Sequence, residues 1–279
     1  MRDIRIIVMS TWVSVLCAQG IPPTYFFDPG QVPGYQAYSD SVAAYHQFQS
    51  IIHPLKTSWD IATHLISSET IITCAALVPF YAGFTMADAD VHDLFYCAEH
   101  HANTDYTPDW MHWCSERAPI LPYACAGIVA MVHPDDATQS AMRTFLLGFP
   151  VLLAGYKWAK TFTFDGALRP WNQRFSSEQR SYGGFPSGHM CEMGYITTFC
   201  ALRFGSYLGV PLAVYTALIA GEFILDNRHY LSQLLAGLGW GIITGKAVNS
   251  YLGSQESHQK PYEYSMNYGS RGFGVSIRF

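Results

Sequence analysis

The chain has 279 residues, of which 49% are hydrophobic and only 13% charged, with a formal net charge of -5 and a pI near 6.1. Such a length and apolar share can bury one large core or two small ones, and one is expected. The acidic balance and the lack of any Lys/Arg cluster leave no basic field of the kind nucleic-acid binding needs, so nucleic acid is not an expected partner.

Residues 1–20 join Arg2 and Arg5 to an apolar run from Ile6 to Cys17 and then to small residues at Ala18 and Gly20. This is the layout of a signal peptide. The run is shorter than the ~20 residues of a membrane span, so the chain reads as exported, periplasmic or secreted, with an uncleaved anchor as the alternative. Export makes disulfides an expectation for the even set Cys74, Cys97, Cys114, Cys125, Cys191 and Cys200. Cys97 and Cys114 share one polar segment and are the expected pair. The other four lie in apolar helical runs, where a free buried thiol is the alternative.

Residues 21–56 read as a leader and a first helix. The Pro/Gly-rich stretch 21–35 is extended, and Tyr38, Val42, Tyr45 and Phe48 fall on one helical side before His53-Pro54 ends the pattern. Helices are expected from about Ser58 to Ser67 and from about Thr70 to Ala82. The segment Asp88–Glu116 carries His92, His100, His101 and His112 beside Asp88, Asp90, Asp93 and Asp109. No pair there has the tight spacing of a metal-ligand motif, so it is expected to be a disulfide-tied surface excursion without a metal.

Apolar helical runs follow at Leu121–Val132, Asp136–Lys160, Met190–Leu208, Pro211–Leu225 and His229–Leu252. Asp135 and Asp136 at the start of the second, and Lys157 and Lys160 at its end, suit the helix dipole. An all-α bundle spanning 57–253 is therefore expected. Arg143, Glu192, Arg203 and Glu222 interrupt these runs, and the mean hydropathy is only +0.09. Both features favour a soluble exported bundle over an integral membrane protein. In the tail, 254–279, Tyr262, Tyr264, Met266 and Tyr268 alternate with polar residues, Gly269 to Gly272 can turn, and Phe273, Val275, Ile277 and Phe279 alternate again. That pattern predicts a C-terminal β-hairpin docked on the helices.

The chemistry concentrates in Gly183-Gly184-Phe185-Pro186-Ser187-Gly188-His189 and in His229 to Gly237. A Gly/Pro/Ser turn just before an apolar helix presents free backbone N–H groups and a hydroxyl, which describes an anion site. His229 opens a second helix, and Gln233, four residues on, shares its face and can reach back to it. Two imidazoles facing one anion site point to phosphoryl transfer.

These residues resemble the type 2 phosphatidic acid phosphatase superfamily, which also holds bacterial acid phosphatases, glucose-6-phosphatases and vanadium haloperoxidases. The central Pro-Ser-Gly-His block is intact at Pro186 to His189. Upstream, Arg169-Pro170 follows Lys160 after eight residues where the family has six, and a bulge in the loop around Asp165 and Gly166 is expected to absorb the difference. In the third block His229 matches, Gln233 stands where the family has Asp, and Glu222-Phe223 stand where it has Ser-Arg.

The resemblance implies a helical bundle of that family and a phosphatase acting on a phosphomonoester or a lipid phosphate, with a membrane surface as a further partner and with no metal and no cofactor. It assigns His229 as the nucleophile and His189 as the proton donor and later base. Lys160, Arg169, Ser187 and Gly188 would hold the phosphoryl oxygens, and Gln233 would orient His229. Phe223 and Gln233 open one alternative, a catalytically impaired phosphate-binding or interaction protein of the same fold; a vanadate-dependent haloperoxidase, which needs a full positive cradle that this chain has lost in part, ranks last. Arg174 or Arg180, before the Pro-Ser-Gly-His turn, would have to reach in from the other side. Arg228, if helical, should point about 100° away from His229.

Overall fold

The computed structural model describes residues 53–97, 102–103, 107–171, 180–259, 263–269 and 272–278. The expected signal peptide, leader and first helix to residue 52, together with His100, His101 and Arg174, lie outside the described residues.

Eight helices carry the described chain. Helix α1 runs through residues 53–63, so the chain is already helical where His53-Pro54 was expected to stop a helix. Helix α2, Ser68–Phe95, is far longer than its apolar pattern predicted. Its N-cap is Ser67, whose hydroxyl accepts from Thr70 N at 3.2 Å. A two-residue antiparallel pair, β1 (Tyr96–Cys97) with β2 (Ala102–Asn103), leads to α3 (Asp109–Arg117) and α4 (Ile120–Val132). Helix α5, Asp136–Ala159, begins at Asp135, whose carboxylate accepts from Thr138 N at 2.8 Å.

Then come α6 (Gly188–Phe204), α7 (Ser206–Leu225) and α8 (Leu231–Gln259). The break between α6 and α7 falls at Gly205, which has φ +73, and not at Pro211 as the apolar runs predicted. Only a residue without a Cβ adopts that conformation cheaply. The expected C-terminal hairpin is present: β3 (Glu263–Gly269) pairs antiparallel with β4 (Gly272–Arg278), in the register Glu263 to Arg278.

The core lies between α5, α6 and α8. Phe145 of α5 stacks on Tyr195 of α6 with centroids 4.7 Å apart, and Phe199 packs against the same ring. Leu152, Met193, Ile196 and Val248 are fully buried around them. Helices α6 and α8 approach closely because α8 carries glycine every fourth residue on the shared face. A Cβ at Gly237 would strike Ser187 O, one at Gly241 would strike Cys191 O, and one at Gly245 would sit 2.9 Å from Thr198 Cβ. This glycine face brings the Pro-Ser-Gly-His turn against the start of α8.

Two expectations need correction. Cys97 and Cys114 are free thiols, as are the other four described cysteines. The described part of the segment 88–116 is also largely helical. Residues 88–95 continue α2, and Asp88 accepts from Ser232 N at 3.0 Å and from Ser232 Oγ at 2.5 Å, closing the open N–H groups at the start of α8.

The outer surface of the described residues is apolar along two helices. Helices α2 and α7 are each long and apolar enough to cross a membrane, and none of the apolar window of α2 is buried inside the protein. Ile71, Ile72, Val78, Phe80 and Met86 of α2, and Val210, Val214 and Leu218 of α7, face outward. Three charges that interrupt the apolar runs find partners within the bundle. Arg143 donates to Ala130 O at 3.1 Å, Tyr156 donates to Glu192 at 3.0 Å, and Arg203 pairs with Glu256.

Candidate functional site

The loop after α5 and the turn before α6 form one local structure. Arg169 N donates to Ser181 O at 2.9 Å and Gly184 N to Ala167 O at 3.0 Å, with Leu168 bridging Tyr182 antiparallel between them. The two residues beyond the family spacing fall in this loop, where Asp165–Ala167 form a 3-10 turn. Lys160, at the C-cap of α5, donates its Nζ to Gly183 O at 2.5 Å. Gly183 has φ +92, a left-handed conformation suited to glycine.

Ser187 is the N-cap of α6 and is fully buried, yet its hydroxyl caps nothing and has no hydrogen-bond partner among the described residues. A buried hydroxyl beside open helix N–H groups is a place for an anion. His189 follows, half-buried, with its Nε2–H donating to Glu116 O at 3.2 Å.

Gln233 ties all three sequence blocks together. Its amide nitrogen donates to Gly166 O at 3.0 Å and Leu168 O at 2.7 Å, and its backbone carbonyl accepts from Ser187 N at 3.1 Å. Its Oε1 lies 3.1 Å from His229 Nδ1 and accepts from Tyr230 N at 3.3 Å. Because Oε1 can only accept, the His229 proton sits on Nδ1, and the lone pair on Nε2 is free. No charge on residue 233 is needed to set this tautomer. Gly184 leaves room for the amide: a Cβ there would come within 2.6 Å of Oε1.

His229 is buried. Burial first, and then the Arg169 and Lys160 charges, hold its pKa well below the ordinary imidazole range, so the ring is neutral. Lys160 is itself lowered to about 8, by burial and then by Arg169. Arg169 is held below its usual value by burial and then by Arg228. Its Nη1 donates to Arg228 O at 3.2 Å.

The structure thus gathers Lys160, Arg169, Ser187, Gly188, His189, His229 and Gln233 where three loops and the start of α6 meet. Phe223, fully buried, touches both imidazoles: its ring centroid is 5.3 Å from that of His189 and 5.8 Å from that of His229, edge-to-face with each. Arg180 donates to the Tyr230 hydroxyl at 2.9 Å.

Several residues that the sequence did not assign to the site stand beside it. His92 Nδ1 lies 2.9 Å from the Oδ1 of the buried Asn227, and His112 Nδ1 lies 3.0 Å from Glu222 Oε1. The signal for them was helical spacing: Asp88, His92 and Tyr96 recur every fourth residue, as do His112 and Glu116. His112, Glu222 and Asp226 stand close enough together to hold a metal ion. In the structure both ring nitrogens of His112 already face carboxylates, Glu222 at 3.0 Å and Glu116 at 3.1 Å.

Residues 144–256 match the family model described as the PAP2 superfamily. That segment belongs to the PAP2 superfamily. It spans α5 to α8 and contains every one of the seven gathered residues. One solved structure similar to this chain is that of a transmembrane PAP2 type phosphatidylglycerolphosphate phosphatase from Bacillus subtilis, at 10% identity and a TM-score of 0.42, covering 76% of this chain and 98% of that one. No curated protein matches the chain.

Proposed function

We propose that the protein is a membrane-embedded phosphatase of the PAP2 type that hydrolyses a phosphomonoester, with a lipid phosphate as the favoured substrate class. The observation that carries this reading is the pair His229 and His189, both packed against Phe223 inside the PAP2 segment, with His229 held neutral and its Nε2 without a partner among the described residues.

His229 Nε2 attacks phosphorus, the P–N bond forms, and the ester P–O bond breaks. The leaving oxygen takes a proton from His189, giving the alcohol. His189, now the base, removes a proton from water, which attacks the phosphohistidine; the P–N bond breaks and phosphate leaves. Lys160, Arg169 and the backbone N–H groups at the start of α6 hold the phosphoryl oxygens while charge spreads over them. The imidazolium that forms at His229 is stabilised less than beside a carboxylate, since Gln233 supplies orientation without charge.

The lipid preference rests on the surface. Helices α2 and α7 expose apolar faces that hydrocarbon would cover. An open apolar groove is lined by Leu55, Trp59, Val151, Trp158 and Trp240. An acyl chain fits that chemistry.

In detergent, the purified chain should release phosphate from p-nitrophenyl phosphate and, faster, from a lipid phosphate in mixed micelles. His229→Ala and His189→Ala should each lower the rate by at least about 10²-fold. The rate should fall as pH rises past about 8, where Lys160 gives up its charge. Full activity in His229→Ala would mean another nucleophile. Phosphate binding without turnover would favour the impaired relative, and halide oxidation after vanadate addition the haloperoxidase.

A further inference from the structure

At Phe223, where the family carries an arginine, this chain has no cation, yet the space beside it holds one. We propose that Arg228 is the relocated phosphate-binding arginine of this site, reaching it from the turn between α7 and α8. The proposal rests on the phosphatase reading above and deepens it.

Extending the α7 helix through His229 would turn Arg228 away, but the helix stops first. α7 ends at Leu225, and Asn227 adopts a left-handed conformation with φ 48. Asn tolerates that region better than most residues, and its side chain is held at 2.9 Å by His92 Nδ1. The chain then folds back, with Arg228 N donating to Phe223 O at 2.9 Å.

This reversal lays the guanidinium over the Phe223 ring, with Cζ 4.8 Å from the centroid. The same ring touches both imidazoles. Phe223 therefore serves as the platform on which the displaced cation rests.

Arg228 is poorly satisfied where it lies. The side chain is only 12% exposed, and its nearest carboxylate, Glu116, is 3.8 Å away and 43% exposed. Its Nη1 is buried with no hydrogen-bond partner among the described residues, as is the Ser187 hydroxyl at the start of α6. A buried guanidinium N–H without an acceptor is costly, and here Arg169 adds a second guanidinium bonded to the Arg228 carbonyl. An incoming phosphoryl group supplies the acceptors and the negative charge together.

The test uses the full chain in detergent, with p-nitrophenyl phosphate as substrate and inorganic phosphate as competitive inhibitor. Arg228→Gln should lower kcat/KM by about 10²-fold and weaken inhibition by inorganic phosphate about tenfold. Arg228→Lys, which keeps the charge without the planar fork, should fall between Gln and the parent in both measurements. A packing role alone would change the unfolding temperature but not the phosphate inhibition constant. Should Arg228→Gln fail to fold, the Lys variant decides: weakened phosphate inhibition supports the assignment, and inhibition equal to the parent overturns it. If both variants match the parent while His229→Ala is inactive, the phosphatase reading stands and the Arg228 assignment falls. If the parent neither hydrolyses the ester nor is inhibited by phosphate, both fall.

Discussion

Gln233 does work that an aspartate in its place would not. Its amide donates to two carbonyls of the 161–168 loop, Gly166 O and Leu168 O, while its oxygen holds His229. A carboxylate has no donors and would face both carbonyl oxygens. Gln233→Asp, although it restores the family residue, should therefore lower stability by roughly 2–4 kcal/mol and reduce turnover. Denaturant unfolding with parallel rate measurements checks this, and a stable, faster Asp variant would refute it.

The longer loop supplies the two carbonyls that the amide reaches, so the two departures from the family pattern fit each other. His189, Arg169 and His229 were legible through their resemblance to the family's three blocks, and Gln233 also through the four-residue helical spacing that puts it on the His229 face. Arg228 was not legible, since its direction was extrapolated as if it were helical, whereas it lies in the turn between α7 and α8 just after the left-handed Asn227. The cations placed in the loop before the turn point elsewhere or lie outside the described residues, Arg180 binding the Tyr230 hydroxyl.

Among the elements, the contact between α6 and α8 positions the chemistry, because Ser187 and His189 begin one helix and His229 precedes the other. Gly237, Gly241 and Gly245 let the two backbones meet. Gly241→Ala forces a methyl group against the carbonyl of Cys191 and should cost about 1–3 kcal/mol. Gly253 lies on the same helix with nothing within 4 Å of an added Cβ, and Gly253→Ala should be neutral or stabilising by up to about 1 kcal/mol. Equal effects of the two substitutions on the unfolding temperature would contradict this account of the interface.

Most helices were visible as apolar periodicity, and α4 and α5 fall within a residue of expectation. The full length of α2 was not visible, because its second half is rich in Asp and His that read as loop. Two of those polar residues turn inward: Asp88 caps α8 and His92 holds Asn227.

At the scale of the whole molecule, the sequence average hides a segregation. A mean hydropathy of +0.09 pools polar residues near the site with apolar ones that face outward. In the fold these separate, leaving α2 and α7 with exposed Ile, Val, Phe and Leu while Arg143, Glu192 and Arg203 find partners inside. The full chain should therefore stay with membranes through alkaline carbonate extraction. Release into the supernatant would argue for a soluble bundle.

The central claim is that His229 takes the phosphoryl group. In His189→Ala, p-nitrophenolate can still leave with little help from an acid, but the water that clears the intermediate has lost its base. Quenching that variant during reaction with radiolabelled p-nitrophenyl phosphate should trap an acid-labile, alkali-stable label on the peptide carrying His229, and no such label should form in His229→Ala. A label on any other residue, or one that persists without His229, would contradict the account.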